Sequence, residues 1–190
     1  MQDGTIITTL FAPEMDVASV LMQQITKAET SVVFMAFSFT HDGIGNTMVA
    51  RYQDGVGVSG IFEKRGSSTK YSEFGKMKQH GMNVMTDSNP YALHHKVIVI
   101  DEDTVITGSF NFSNNAAKTN DENLLVIEGN RDIAAAYLGE YRQLGGIMYM
   151  ADQPVSSEVG KAILVLGVGD KQNNKDWRTF SSVAKTAKCQ

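Results

Sequence analysis

The chain has 190 residues, 42% of them hydrophobic and 20% charged. That balance suits one ordinary globular domain with a sizeable core and excludes a disordered or fibrous chain. The formal net charge of −4 supplies no global basic field, and a single cysteine, Cys189, excludes a disulfide framework or a cysteine-built metal site.

Met1-Gln2-Asp3-Gly4 lacks the basic and then apolar run of a signal peptide, so a cytoplasmic location is expected if the chain is full length. No stretch approaches the roughly 18 apolar residues of a membrane-spanning helix. Thr5 to Phe11 reads as a strand stopped by Pro13, and Asp16 as the N-cap of a helix reaching about Lys27. Ser31 to Phe39 is a near-continuous apolar run, as in a strand covered on both faces. A weaker helix follows from Asp42 to about Tyr52, then a second buried strand from Val56 to Glu63 and a polar loop at 66–68. Helix resumes from Tyr71 to His80, with Gly81 as its C-cap, and Met82 to Thr86 is a short strand. Leu93 to Ile100, the turn Asp101-Glu102-Asp103 and Thr104 to Thr107 form a hairpin. A strand from Asn123 to Glu128 and a helix from Arg131 to about Leu144 complete the pattern. Strands alternating with helices predict an α/β layered domain over residues 1–146, its mixed, mostly parallel sheet flanked by helices. Residues 147–190 change in character and are expected to form a C-terminal appendage whose role is not legible.

The hairpin carries the chemistry. Alternation along a strand puts His94 and Lys96 on one face and turns His95 away, while Ser109 and Asn111 share the same spacing on the returning side. An imidazole, an ammonium, a hydroxyl and a carboxamide on one hairpin suit attack on phosphorus, with cationic and hydrogen-bonding cover for the phosphoryl oxygens. Burying four such groups unpaired would cost about 1–3 kcal/mol each, so packing alone explains them poorly. Lys64, Arg65, Lys70, Lys76 and Lys78 make either a local basic patch or a solvated loop and helix face.

His94-x-Lys96, four residues, Asp101, then Gly108-Ser109-x-Asn111-x-Ser113 resembles the signature of the phospholipase D superfamily. Asn120-Asp121-Glu122-Asn123 resembles the acidic segment that follows it, and the likeness runs from Thr5 to the helix at 131–144. The resemblance implies a phosphodiesterase hydrolase working through a phosphohistidine on His94. In that scheme Lys96, Asn111 and Ser109 hold the substrate phosphate, and Glu122 accepts a hydrogen bond from the distal nitrogen of His94. Asp101 and Gly108 are implied to serve structure near the site. No metal or other cofactor is implied, and no metal-ligand spacing is seen.

Family members use two such signatures, and this chain has one. Two readings stay open: a homodimer, as in the family's small single-signature nucleases, or one half of a longer two-signature protein. A low-specificity nuclease is the favoured expectation. A phospholipid hydrolase or transphosphatidylase is the alternative, with Phe37, Phe39, Phe110 and Phe112 as candidates for an apolar lip. A binding module without turnover is the third.

Overall fold

The computed structural model describes residues 4–146; the expected appendage at 147–190 lies outside the described residues. Among the described residues, seven strands form one sheet. In chain order they are β1 (Ile6–Ala12), β2 (Ser31–Ala36), β3 (Gly57–Phe62), β4 (Asn83–Thr86), β5 (Lys96–Ile100), β6 (Thr104–Gly108) and β7 (Glu122–Glu128). Their spatial order is β1-β7-β6-β5-β2-β3-β4.

The α/β layering and the mixed sheet agree with the sequence reading, but the sheet is mostly antiparallel. Only β2–β3 and β3–β4 are parallel, whereas β1–β7, β7–β6, β6–β5 and β5–β2 are antiparallel. The reason lies in the connections. Helix α2 (Asp42–Gln53) carries the chain from β2 to β3, and α4 (Glu73–Gln79) lies between β3 and β4. Such crossovers return the chain in the same direction. Past β4 the irregular segment 87–95 turns the chain back, so that β5 runs antiparallel to β2, and the β5–β6 hairpin follows.

The sheet is covered on both faces. Val32, Phe34, Ala36, Ile98 and Ile100 face a core completed by α1 (Val17–Thr26), α2 and α4. Val33, Met35, Val97 and Val99 face α6 (Arg131–Gln143) through Ala134, Leu138 and Tyr141. Every residue of β2, β3 and β5 is buried, which is why these strands read as continuous apolar runs rather than alternating ones.

Local chemistry fixes the helix starts. The Asp16 carboxylate accepts from Ser19 N at 3.1 Å, capping α1 as expected. His41 caps α2, its Nδ1 accepting from Ile44 N at 3.3 Å, and burial lowers its pKa. Residues 66 and 67 of the expected loop at 66–68 instead belong to a one-turn helix, α3 (Lys64–Ser67), capped by the Glu63 side chain. A further short helix, α5 (Asn114–Lys118), was not evident in the sequence.

The β5–β6 turn is unusual. Asp101 and Glu102 both have positive φ, 52° and 55°, the conformation of a type I′ turn. This conformation is held by long-range bonds. The Asp101 carboxylate accepts from Glu29 N, Thr30 N, Thr30 Oγ1 and Ser31 N at 2.8–2.9 Å. Burial acts to raise the pKa of this carboxyl, but those donors outweigh it and hold the value below the ordinary range. Asp101 thus ties the hairpin to the chain entering β2, so that β5 and β2 meet in fixed register.

Asp101→Asn should therefore lower stability by about 1–3 kcal/mol, read by denaturant unfolding. The sign with pH follows from the lowered folded-state pKa. The wild-type contribution is complete above the ordinary carboxylate pKa of about 3.9 and disappears as pH falls through the lower folded value. The variant should lack this acid-side loss, and an unchanged stability–pH curve would count against the tie.

Candidate active site

β5 begins at Lys96, not at Leu93 as the alternation suggested. His94 and His95 belong to the irregular segment before it, so strand alternation is not what unites His94 with Lys96. Lys96 is 7% exposed, and its side chain folds back over the preceding residues. Its Nζ donates to the His94 carbonyl oxygen at 3.0 Å and lies 3.3 Å from His94 Nδ1. His94 itself is exposed. An outward imidazole with a nearly buried ammonium beneath it is the centre of the site.

Phe37 completes this unit. Its ring centroid is 4.4 Å from that of His94, tilted by 48°, and Lys96 Nζ lies 5.0 Å over the same ring. The Phe37 amide donates to His95 O at 2.8 Å, which continues the β2–β5 pairing to the residue after the nucleophile candidate. Phe37 had been read only as one of four candidate lip aromatics. Phe39, Phe110 and Phe112 are instead core residues, each at most 2% exposed.

Burial pulls the Lys96 pKa down, and the negative charge of Glu122 opposes the shift without cancelling it. That interaction links the His94–Lys96 pair to the second group of residues. Ser109 Oγ donates to Glu122 Oε2 at 2.5 Å, and Asn120 Nδ2 donates to Glu122 Oε1 at 3.0 Å. The expected hydrogen bond between Glu122 and His94 is therefore not what this structure forms. Each oxygen of the carboxylate already has a short local partner, because Glu122 opens β7 beside Gly108 and Ser109.

Gly108 has a steric reason to be glycine. A β-carbon there would meet the Asn123 carbonyl oxygen at 2.3 Å, inside any tolerable contact. The close approach lets Asn123 O accept from Ser109 N at 3.1 Å and Phe110 N at 3.3 Å, which fixes the turn that presents Ser109. Ser109 Oγ in turn accepts from Asn123 N at 3.0 Å. The Asn111 carboxamide oxygen is buried without a hydrogen-bond partner, an arrangement that costs free energy in a merely structural residue. Asp101 lies at the opposite end of β5 from Lys96 and takes no part in these contacts.

His95 points away, as expected, its Nε2 lying 3.7 Å from Glu140 on α6. Of the five cations singled out in the sequence, Lys76 is engaged with Glu73 at 2.7 Å and Asp42 at 3.5 Å. Lys64, Arg65 and Lys70 are exposed. α3, which carries the first two, lies at the site's end of the sheet: a β-carbon on Gly66 would be 3.9 Å from the Phe37 carbonyl oxygen. Among the described residues, no group of three or more His, Cys, Asp or Glu side chains is placed to hold a metal ion. No helix among them is long and apolar enough to cross a membrane.

Comparison with known proteins identifies the family. The family model described as "Cardiolipin synthase, PLD-like domain" matches residues 21–144. A phospholipase D of Rickettsia prowazekii is 35% identical over 132 residues, covering 70% of this chain and 64% of that protein. A mitochondrial cardiolipin hydrolase of Xenopus tropicalis is 30% identical over 124 residues, covering 65% of this chain and 59% of the relative. The match thus spans less than two thirds of either relative's length. The crystal structure of Nuc from Salmonella typhimurium, a phospholipase D family member, superposes with a TM-score of 0.70 at 32% identity. That superposition covers 76% of this chain and 98% of Nuc. Because the family model matches residues 21–144, well over half of its length, the chain belongs to the phospholipase D superfamily.

Proposed function

We propose that this protein is a phosphodiesterase whose nucleophile is His94, acting without a metal and most readily on nucleic acid. The observation that carries the reading is the exposed His94 ring held between Phe37 and a nearly buried Lys96. A lysine that only stabilised the fold would not be desolvated beneath an outward-facing imidazole.

The proton bookkeeping follows from the contacts. A charged Lys96 is a donor only, so Nδ1 of His94 accepts and the neutral ring carries its proton on Nε2. Attack needs that outer nitrogen free. When a phosphodiester arrives, Lys96 transfers its hydrogen bond to a non-bridging oxygen, and Nδ1 can then take the proton. Nε2 bonds to phosphorus, the bond to the leaving oxygen breaks, and that oxygen takes a proton from a second acid. Water then attacks phosphorus, giving a proton to the second group that has just lost one, the phosphorus–nitrogen bond breaks and His94 is regenerated. Lys96 and Asn111 stabilise the charge on the non-bridging oxygens, while Glu122, through Ser109, holds the turn that leads to Asn111.

One copy supplies one imidazole of this kind, so the second acid is the His94 of a second copy or the corresponding histidine of a second half-chain. An open groove of about 650 Å³ beside Glu122 is lined by Phe11 and Met15, which are 54% and 41% exposed, and gives a second copy apolar surface to cover. Nucleic acid is favoured because Lys64 and Arg65 stand exposed on α3, next to Phe37. A phospholipid substrate is the second reading, supported by the names of the Rickettsia and Xenopus relatives and by Phe11 and Met15 near the site.

His94→Ala should reduce plasmid and oligonucleotide cleavage by at least about 10³-fold, and Lys96→Met by about 10²–10³-fold, with wild-type activity persisting in EDTA. Undiminished cleavage by His94→Ala would end the proposal. Head-group release from phospholipid vesicles without cleavage of nucleic acid would select the second reading. Sedimentation of the active species should show a dimer.

A further inference from the structure

The segment that delivers His94 has no regular structure, and one distant carboxylate holds its approach. Residues 87–95 run between β4 and β5 outside any helix or strand, with Tyr91 81% exposed. On the far side of His94 the backbone is held by Phe37 N on His95 O and by Lys96 Nζ on His94 O. On the near side, Leu93 N donates to Glu63 Oε2 at 2.6 Å, in a buried setting and from 30 positions away in the chain.

Glu63 is 5% exposed and unites several parts of the site. Its amide donates to Ala36 O at 2.9 Å, which extends the β2–β3 pairing by one residue. Its Oε1 accepts from Arg65 N at 3.2 Å, and its carbonyl accepts from Ser67 N at 3.2 Å. The two carboxylate oxygens thus serve different segments, one the basic turn at 64–67 and the other the residue before His94. A buried carboxylate is costly unless its oxygens are satisfied, and here backbone amides at the mouth of the site satisfy both.

We propose that Glu63 is a positioning residue for the reaction. By fixing Leu93 it sets where the chain leaves the sheet, and hence how the His94 ring stands between Phe37 and Lys96. By capping α3 with its other oxygen, it holds Lys64 and Arg65 at a constant distance from that ring. This role rests on the reading of His94 as nucleophile. Glu63 touches no reacting atom. The Leu93 side chain, buried in the core on the α6 face, keeps the segment attached without Glu63, but a packed side chain fixes an amide less tightly than a short charged hydrogen bond.

Glu63→Gln tests this in the full chain. The substitution keeps size and shape but offers only one acceptor oxygen to two amides, so one amide must face a second donor. With bis(p-nitrophenyl) phosphate as substrate, kcat should fall about 10–100-fold while KM changes less than about 3-fold, because a misplaced nucleophile loses alignment rather than binding. In amide-resolved NMR, the Leu93 proton should move upfield and lose protection from exchange. A lower melting temperature with unchanged kcat per folded molecule would reduce Glu63 to a structural clamp and overturn the proposal. Should the variant fail to fold, the wild-type Leu93 amide decides: slow exchange, tracking global unfolding, supports the Glu63 tie that positions His94, and fast exchange refutes it. The NMR arms need no turnover, so they stand apart from the His94→Ala assay. A protected Leu93 amide alongside an active His94→Ala enzyme would reject the nucleophile and the positioning role with it.

Discussion

A lysine ammonium taken almost wholly out of water is the interaction on which the site depends. Lys96 opens the buried strand β5, where a charge would ordinarily be expensive. Its compensation comes from the His94 carbonyl, the His94 ring, the face of Phe37 and the more distant charge of Glu122. None of these is a full ion pair, so the ammonium stays under-neutralised. In the proposed mechanism a phosphodiester oxygen brings the negative charge that the protein withholds, and binding there is rewarded in proportion to what folding left unsatisfied.

The surrounding fold keeps this arrangement in place. The mixed sheet brings these ends of β2, β3 and β5 side by side, so Phe37 and Glu63, each one residue past its strand, and Lys96 lie at one end of the sheet. Asp101 fixes the opposite end of the β5–β6 hairpin, and Gly108 permits the close approach of Asn123 that presents Ser109. Ser109, Asn120 and Glu122 then form a compact hydrogen-bonded unit whose charge Lys96 feels.

Much of this was legible in the sequence, for identifiable reasons. Short spacings such as His94-x-Lys96 and Gly108-Ser109-x-Asn111 survive folding because they lie within or beside single strands. Buried strands betray themselves as apolar runs, and the Asp16 cap precedes a clear helical period. Strand direction was not legible, since helix-strand alternation looks the same whether or not a later hairpin reverses the sheet. The partner of Glu122 was misjudged because a local hydroxyl and carboxamide reach it before His94 can. Glu63 was overlooked for the opposite reason: it reads as the polar end of a strand, and only the fold brings it to Leu93.

The central claim is that phosphorus is bonded to His94 between two displacements. Each displacement in line inverts phosphorus, so two restore its configuration. Hydrolysis of a chiral phosphorothioate diester in isotopically labelled water should therefore proceed with net retention at phosphorus. Net inversion would mean that water attacks directly, and no role for His94 as a covalent nucleophile would remain.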